Sequence, residues 1–336
     1  MRWSLLIAVF GLSITDVASF AQRPPDGQRL ATTRSSSQDA GFFATSGVVR
    51  FQFVQGRLCL DAPRHRKGSQ NCDEGGVYES ITVSAERGIP SVHYVFQTAQ
   101  HHITLSVQNA THVRIESWFP EQAERSVLEQ PDFGVITWTT TRGDLSDLVE
   151  GDTILHVRTE DDVNFDRHFG GLVRRLLRGQ SLAELTQATQ MAMLRQAERG
   201  GTPCVSEIEA MVEQLRAPRR GTRMIAHRQL QAWGTPAVPV LRQALGEDLD
   251  MEQRERVRAI LRRLRPREGD TPATLAKLLI NDEAYWNRIA TRLDTAELQL
   301  ANQHLVEFGG SPLPEQARVI ASERRVAAKP SLAGDR

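Results

Sequence analysis

The chain has 336 residues, 41 basic and 41 acidic side chains and 40 % hydrophobic residues. Zero formal net charge excludes any bulk-charge argument for a nucleic-acid or membrane partner, and the hydrophobic fraction is that of a folded protein. The length accommodates two or three domains, each able to bury its own core.

Residues 1–21 read MRWSLLIAVFGLSITDVASFA. One Arg precedes an apolar run from Leu5 to Ile14, and Ser19 and Ala21 supply small residues at the cleavage positions. This predicts a secretory signal peptide cut before Gln22, hence a periplasmic or extracellular mature protein. The alternative is an uncleaved anchor, although the run is shorter than the ~20 residues that span a bilayer. No later segment reads as an integral membrane span. Residues 22–46 are rich in Ser, Gln, Arg and Pro and read as a disordered linker.

From residue 47 the pattern takes the period of strands. Strands are expected at residues 48–54, 77–85, 92–98, 103–107, 113–118, 135–140 and 153–157, with a Pro/Gly-rich loop after Gly56. A hairpin should pair residues 104–107 with 113–116 across Asn109. The expected unit is an antiparallel β sandwich or barrel over residues 47–160.

Helical periodicity begins near Asp162, where Phe165, Phe169, Leu172, Val173, Leu176 and Leu177 form one stripe. Helices are expected over residues 161–322, followed by a flexible tail at residues 323–336. Within this half, Ile225, Ala226, Leu230 and Trp233 form an apolar stripe ending at Gly234, a residue free to take positive φ. Thr235 is placed to cap the next helix and Pro236 to open it. The corner recurs. Gly201-Thr202-Pro203 precedes Val205 and Ile208 as Gly234-Thr235-Pro236 precedes Val238 and Leu241. Ala301, Leu305, Phe308 and Gly309 likewise match Ala226, Leu230, Trp233 and Gly234. On these residues the chain resembles the HEAT-like helical repeat family, most clearly over residues 220–264. The resemblance implies stacked helical hairpins that offer a binding surface and implies no chemistry. The fold class expected is therefore α+β in two domains, the β unit followed by an all-α HEAT-like array.

Chemistry is sparse. An exported chain can carry a disulfide, and Cys59–Cys72 is the expected pair, closing a short loop, with Cys204 left free. His93, His101, His102, His112 and His156 fall in the β-rich half without metal-ligand spacing, so no metal and no cofactor are expected. Asp132-Phe133-Gly134 matches a kinase trio without its companion motifs and reads as a turn before the next strand. Asn109-Ala110-Thr111 matches a glycosylation acceptor and equally reads as a hairpin turn. No residue is assigned a catalytic role. Charge is uneven: residues 47–160 hold 10 basic and 15 acidic side chains, residues 219–268 hold 12 and 6. Two functions follow as expectations. The first is an exported, non-enzymatic interaction or scaffold protein whose helical surface binds another protein, not nucleic acid. The second is a β-domain that binds a small ligand, carbohydrate or metal, with hydrolytic activity as an extension. An open helical groove lined by Arg and apolar groups would favour the first, and histidines converging on a pocket the second.

Overall fold

The computed structural model describes residues 49–61, 68–199, 203–266 and 268–314. The signal, linker and tail expectations and the Gly201-Thr202 corner lie outside these residues, as does the segment 62–67. The described part is α+β: two antiparallel sheets lead into helices. Strands β1 (Arg50–Val54) and β2 (Arg57–Asp61) form a separate hairpin. The larger sheet is an eight-stranded meander in simple chain order, with β3 (Gly68–Glu74) and β10 (Leu145–Gly151) at its ends. Between them run β4 (Val77–Glu86), β5 (Ile89–Gln97), β6 (His102–Gln108), β7 (His112–Phe119), β8 (Glu124–Gln130) and β9 (Ile136–Arg142). Asn109 and Ala110 take positive φ between β6 and β7, placing Val107 opposite Val113 as the sequence predicts.

Because side chains alternate along a strand, cross-strand neighbours build rows on one face. One row runs Ile81, Tyr94, Leu105, Ile115, Leu128, Trp138, all buried. The adjacent row, Glu79, Phe96, Ile103, Ser117, Ser126 and Thr140, is largely polar.

The helices start earlier than predicted. Residues 153–157 are no strand: Thr153 accepts from the His156 N–H and caps helix α1 (Ile154–Glu160). A short apolar run has no period that separates a buried strand from a buried helix, and the cap decides. Helices α2 (Asp162–Phe165) and α3 (Gly171–Leu176) are joined by a π turn at Asp166–Gly170. Here Phe165 and Phe169 meet Trp138 edge to face, which docks the helices on the sheet. The remaining helices are α4 (Leu182–Arg199), α5 (Val205–Gln214), α6 (Arg220–Trp233), α7 (Val238–Gly246), α8 (Met251–Leu264), α9 (Pro272–Leu279), α10 (Glu283–Ile289) and α11 (Thr295–Glu307). The β-rich and helical parts belong to one compact unit with one continuous hydrophobic core.

The corner residues divide. Ala226 and Leu230 are fully buried, but Ile225 is 65 % exposed and Trp233 only half-buried at the rim of the core. Gly234 has φ 72° and ψ −139°, near a region essentially confined to glycine. Thr235 and Pro236 open a 3-10 turn (Thr235–Ala237) before α7, and the Thr235 side chain makes no capping bond. The turn's own bond from Ala237 N–H to the Gly234 carbonyl replaces the expected cap. At the matching positions Ala301 and Leu305 are buried, Phe308 is half-buried and Gly309 has φ 78°.

Candidate functional site

The β1–β2 hairpin is held from both sides. Gln130, buried in β8, donates to the carbonyls of Leu58 and Thr111 and accepts from the Leu58 N–H at 2.9 Å, tying the hairpin to the large sheet. From the helical side, Asp270 accepts from the Gly56 N–H at 2.7 Å and the Leu264 carbonyl accepts from Gln55 Nε2 at 3.0 Å. Gly56 sits at φ 72°, and a Cβ there would lie 2.5 Å from Thr153.

Between these attachments lies a cavity of about 230 Å³. The hairpin contributes Val54, Gln55, Arg57 and Cys59, and the loop after β8 contributes Pro131, Asp132, Phe133 and Gly134. Helix α7 supplies Arg242 and Leu245, and the end of α8 supplies Leu261, Arg262 and Arg265. Arg57 is buried and spans three backbone carbonyls: those of Asp152 (3.1 Å), Pro131 (2.9 Å) and Gly134. Burial, then the nearby Arg242, bring its pKa down to about 9. Arg242 donates to the Gln55 side-chain oxygen at 3.1 Å, and burial lowers its pKa too. Burial raises the Cys59 thiol, against the pull of Arg265. Asp270, just outside, is pushed up to about 6 by burial despite the hydrogen bonds from Gly56 and Gln55. A low-dielectric wall has thus been built around positive charge.

A second polar cluster lies in the sheet core. Ser117 Oγ is 2.8 Å from both His168 Nδ1 and His101 Nε2, and His168 Nε2 is 3.3 Å from Glu124 Oε1. Serine, histidine and glutamate are the components of a nucleophile, base and acid array. Here Ser117 is 0 % exposed and its hydroxyl is shared by two imidazoles. Burial lowers the pKa of both, that of His101 to about 4. Burial would raise Glu124, but Arg142 and His168 hold it below its usual value. Ser117 is thus closed to solvent, and the cluster lies within the polar row of the sheet.

The sequence-predicted residues separate in space. Cys59 is buried opposite Gln52 in the hairpin, whereas Cys72 is exposed opposite Glu79 in the large sheet. The expected bridge is not formed, and Cys59, Cys72 and Cys204 are free thiols. The reason is that residues on either side of 62–67 enter different sheets. Cys204 Sγ donates to the Phe308 carbonyl at 2.9 Å. Among the described residues no histidine lines the cavity, and no metal-holding group of three or more His, Cys, Asp or Glu occurs. Phe133 and Gly134 form the turn predicted for them and also wall the cavity. Arg57 and Arg242 escaped sequence reasoning; an Arg beside Cys59 in a predicted loop carried no distinguishing signal. Compared with known proteins, the chain matches no family model, no curated protein and no solved structure.

Proposed function

We propose that this chain is a non-catalytic binding protein whose ligand is a small molecule held between the β1–β2 hairpin and helices α7 and α8. The observation that carries the reading is the cavity itself: a 230 Å³ space with convergent polar groups on apolar walls, made by both parts of the fold. Its helical wall has the Arg and apolar lining expected of a protein-binding groove, but the hairpin faces it and leaves room for a small molecule, not a helix or strand. The test is a thermal-shift screen of small molecules on the full chain and on Leu245→Trp, which narrows the cavity. Compounds that stabilise the wild type and lose their effect in Leu245→Trp support the reading. Stabilisation indifferent to that substitution sinks it.

A protein partner is the second reading, favoured by exposed Ile225 and Met251 (65 % and 84 %) at the ends of α6 and α8 that Arg223 and Glu252 link at 3.7 Å. Adaptable side chains of this kind suit a partner surface. The HEAT-like resemblance supports it. Ile225→Glu with Met251→Glu should then weaken a crosslinked partner's binding without changing the melting temperature. Export remains part of the proposal on the charge and apolar pattern of residues 1–21, and N-terminal sequencing should find Gln22 first. No helix of the described residues is long and apolar enough to cross a membrane.

A further inference from the structure

Four guanidiniums and one carboxylate line the cavity: Arg57, Arg242, Arg262 and Arg265 against Asp132. The carboxylate is engaged, since Asp132 Oδ1 accepts from the Thr111 hydroxyl at 2.6 Å. The partners of Arg57 are backbone carbonyls, and Arg242 donates to both oxygens of Gln55. Among the described residues, no carboxylate forms an ion pair with any of the four. A carbonyl satisfies an N–H group without neutralising the charge behind it. Asp152 attracts both Arg57 and Arg242 through space, but among the described residues no carboxylate contacts either, and Arg242 still repels Arg57 across one small space from which water is largely excluded. An anion set between them offsets that repulsion, and a guanidinium fork suits a two-oxygen head. Besides these charges and the polar Gln55, Thr111 and Gln130, the wall carries hydrocarbon from Val54, Phe133, Leu245 and Leu261. A simple inorganic ion would leave that surface uncovered.

The geometry points to a small organic anion as the ligand, with its carboxylate-like head between Arg57 and Arg242 and its apolar body against Leu245 and Leu261. Arg262 and Arg265, both exposed, stand at the rim where they steer the charge inward. This assignment rests on the ligand-binding reading above and adds the class of ligand to it.

Benzoate and benzamide share a shape and differ in charge, so they test class and cavity separately. In amide NMR titrations of the full chain, benzoate should shift Gln55, Gly56, Gly134 and Arg242 saturably, and benzamide should bind at least tenfold more weakly. Arg242→Met should abolish the benzoate response. Arg265→Gln, at an exposed position on the rim, should weaken it severalfold. If both compounds shift these amides equally, or benzoate binds both variants as it binds wild type, the anionic class is wrong and the cavity remains a binding site. If neither compound moves any cavity amide at millimolar concentration, the anionic assignment falls, and the thermal-shift screen decides the ligand-binding reading by itself.

Discussion

His156 and Asp282 meet 3.1 Å apart, Nε2 to Oδ2, both buried, where the first helix after the sheet touches the start of α10. Nδ1 of the same ring lies 2.9 Å from the Thr153 hydroxyl, so one imidazole joins the helix cap to a carboxylate 126 residues away. Burial would raise Asp282, but His156 and the Tyr285 N–H hold it below its usual value. Replacing His156 with Ala would strand that carboxylate, and loss of one partner from a buried pair costs roughly 3–5 kcal/mol. Denaturant melts of His156→Ala at pH 7 should show a loss of that size. Because the Asp282 pKa is depressed, its contribution is full above the unfolded value near ~3.9 and is lost as pH falls further.

Asp270 acts with the opposite sign. Its folded pKa of about 6 exceeds the unfolded value, so the folded chain binds more protons in between and stability falls as pH rises from ~4 to ~6. The change is of order 3 kcal/mol at most. Asp270→Asn keeps an oxygen for the Gly56 N–H and should flatten that part of the pH–stability profile. An unchanged slope in the Asn variant would rule Asp270 out as its source.

Two glycines at the same φ should respond differently. At Gly56 a methyl group would overlap Thr153, the residue that caps α1 and contacts His156, whereas at Gly234 it would enter open space. Gly234→Ala therefore carries backbone strain alone, roughly 1–3 kcal/mol. Gly56→Ala adds overpacking and should lose roughly 2–5 kcal/mol. Equal losses in chemical denaturation would contradict the contact at Thr153.

Among the tryptophans, Trp286 is fully buried and its indole N–H donates to the Ile280 carbonyl at 2.8 Å. Trp286→Ala should cost roughly 3–5 kcal/mol. Half-buried Trp233 should cost no more than about 2 kcal/mol, and Arg228→Ala, on the exposed face of α6, almost nothing. Melting temperatures should be lowest for Trp286→Ala, intermediate for Trp233→Ala and near wild type for Arg228→Ala.

The thiols give a chemical test of the same fold. N-ethylmaleimide should label exposed Cys72 quickly in the native chain, while Cys59 should react only on unfolding, since it is buried and its pKa is raised. A disulfide-linked peptide pair containing both would contradict the separation of the two sheets.

The elements legible in the sequence are those whose two faces differ in polarity. Strands β4 to β7 and β9 alternate visibly, and Asn109 marks their best turn. β3 carries no large apolar side chain and is exposed throughout, so nothing in its composition distinguishes it from a loop. β8 hides because its buried face bears Glu124, Ser126 and Gln130, which are ordinarily signs of solvent. Ile225 joined the predicted stripe by spacing, yet a helix stripe has edges, and this residue lies beyond one. The cavity was illegible for a different reason. Arg57 and Arg242 are brought together by tertiary packing, and a sequence carries no local period for residues that far apart.

Each strand of the large sheet pairs with the next in the chain, so that sheet can assemble from neighbouring turns as the chain is synthesised. The β1–β2 hairpin has no such autonomy. Its turn is gripped by Leu264 and Asp270, 209 and 214 residues downstream. It is made before everything it docks against, and although Gln130 can tie it to the sheet, its turn has no partner until the eighth helix and Asp270 are in place. The cavity is therefore the last feature of the fold to close, and a chain stopped short of Asp270 would keep its sheet and lack the grip on the turn that walls the cavity.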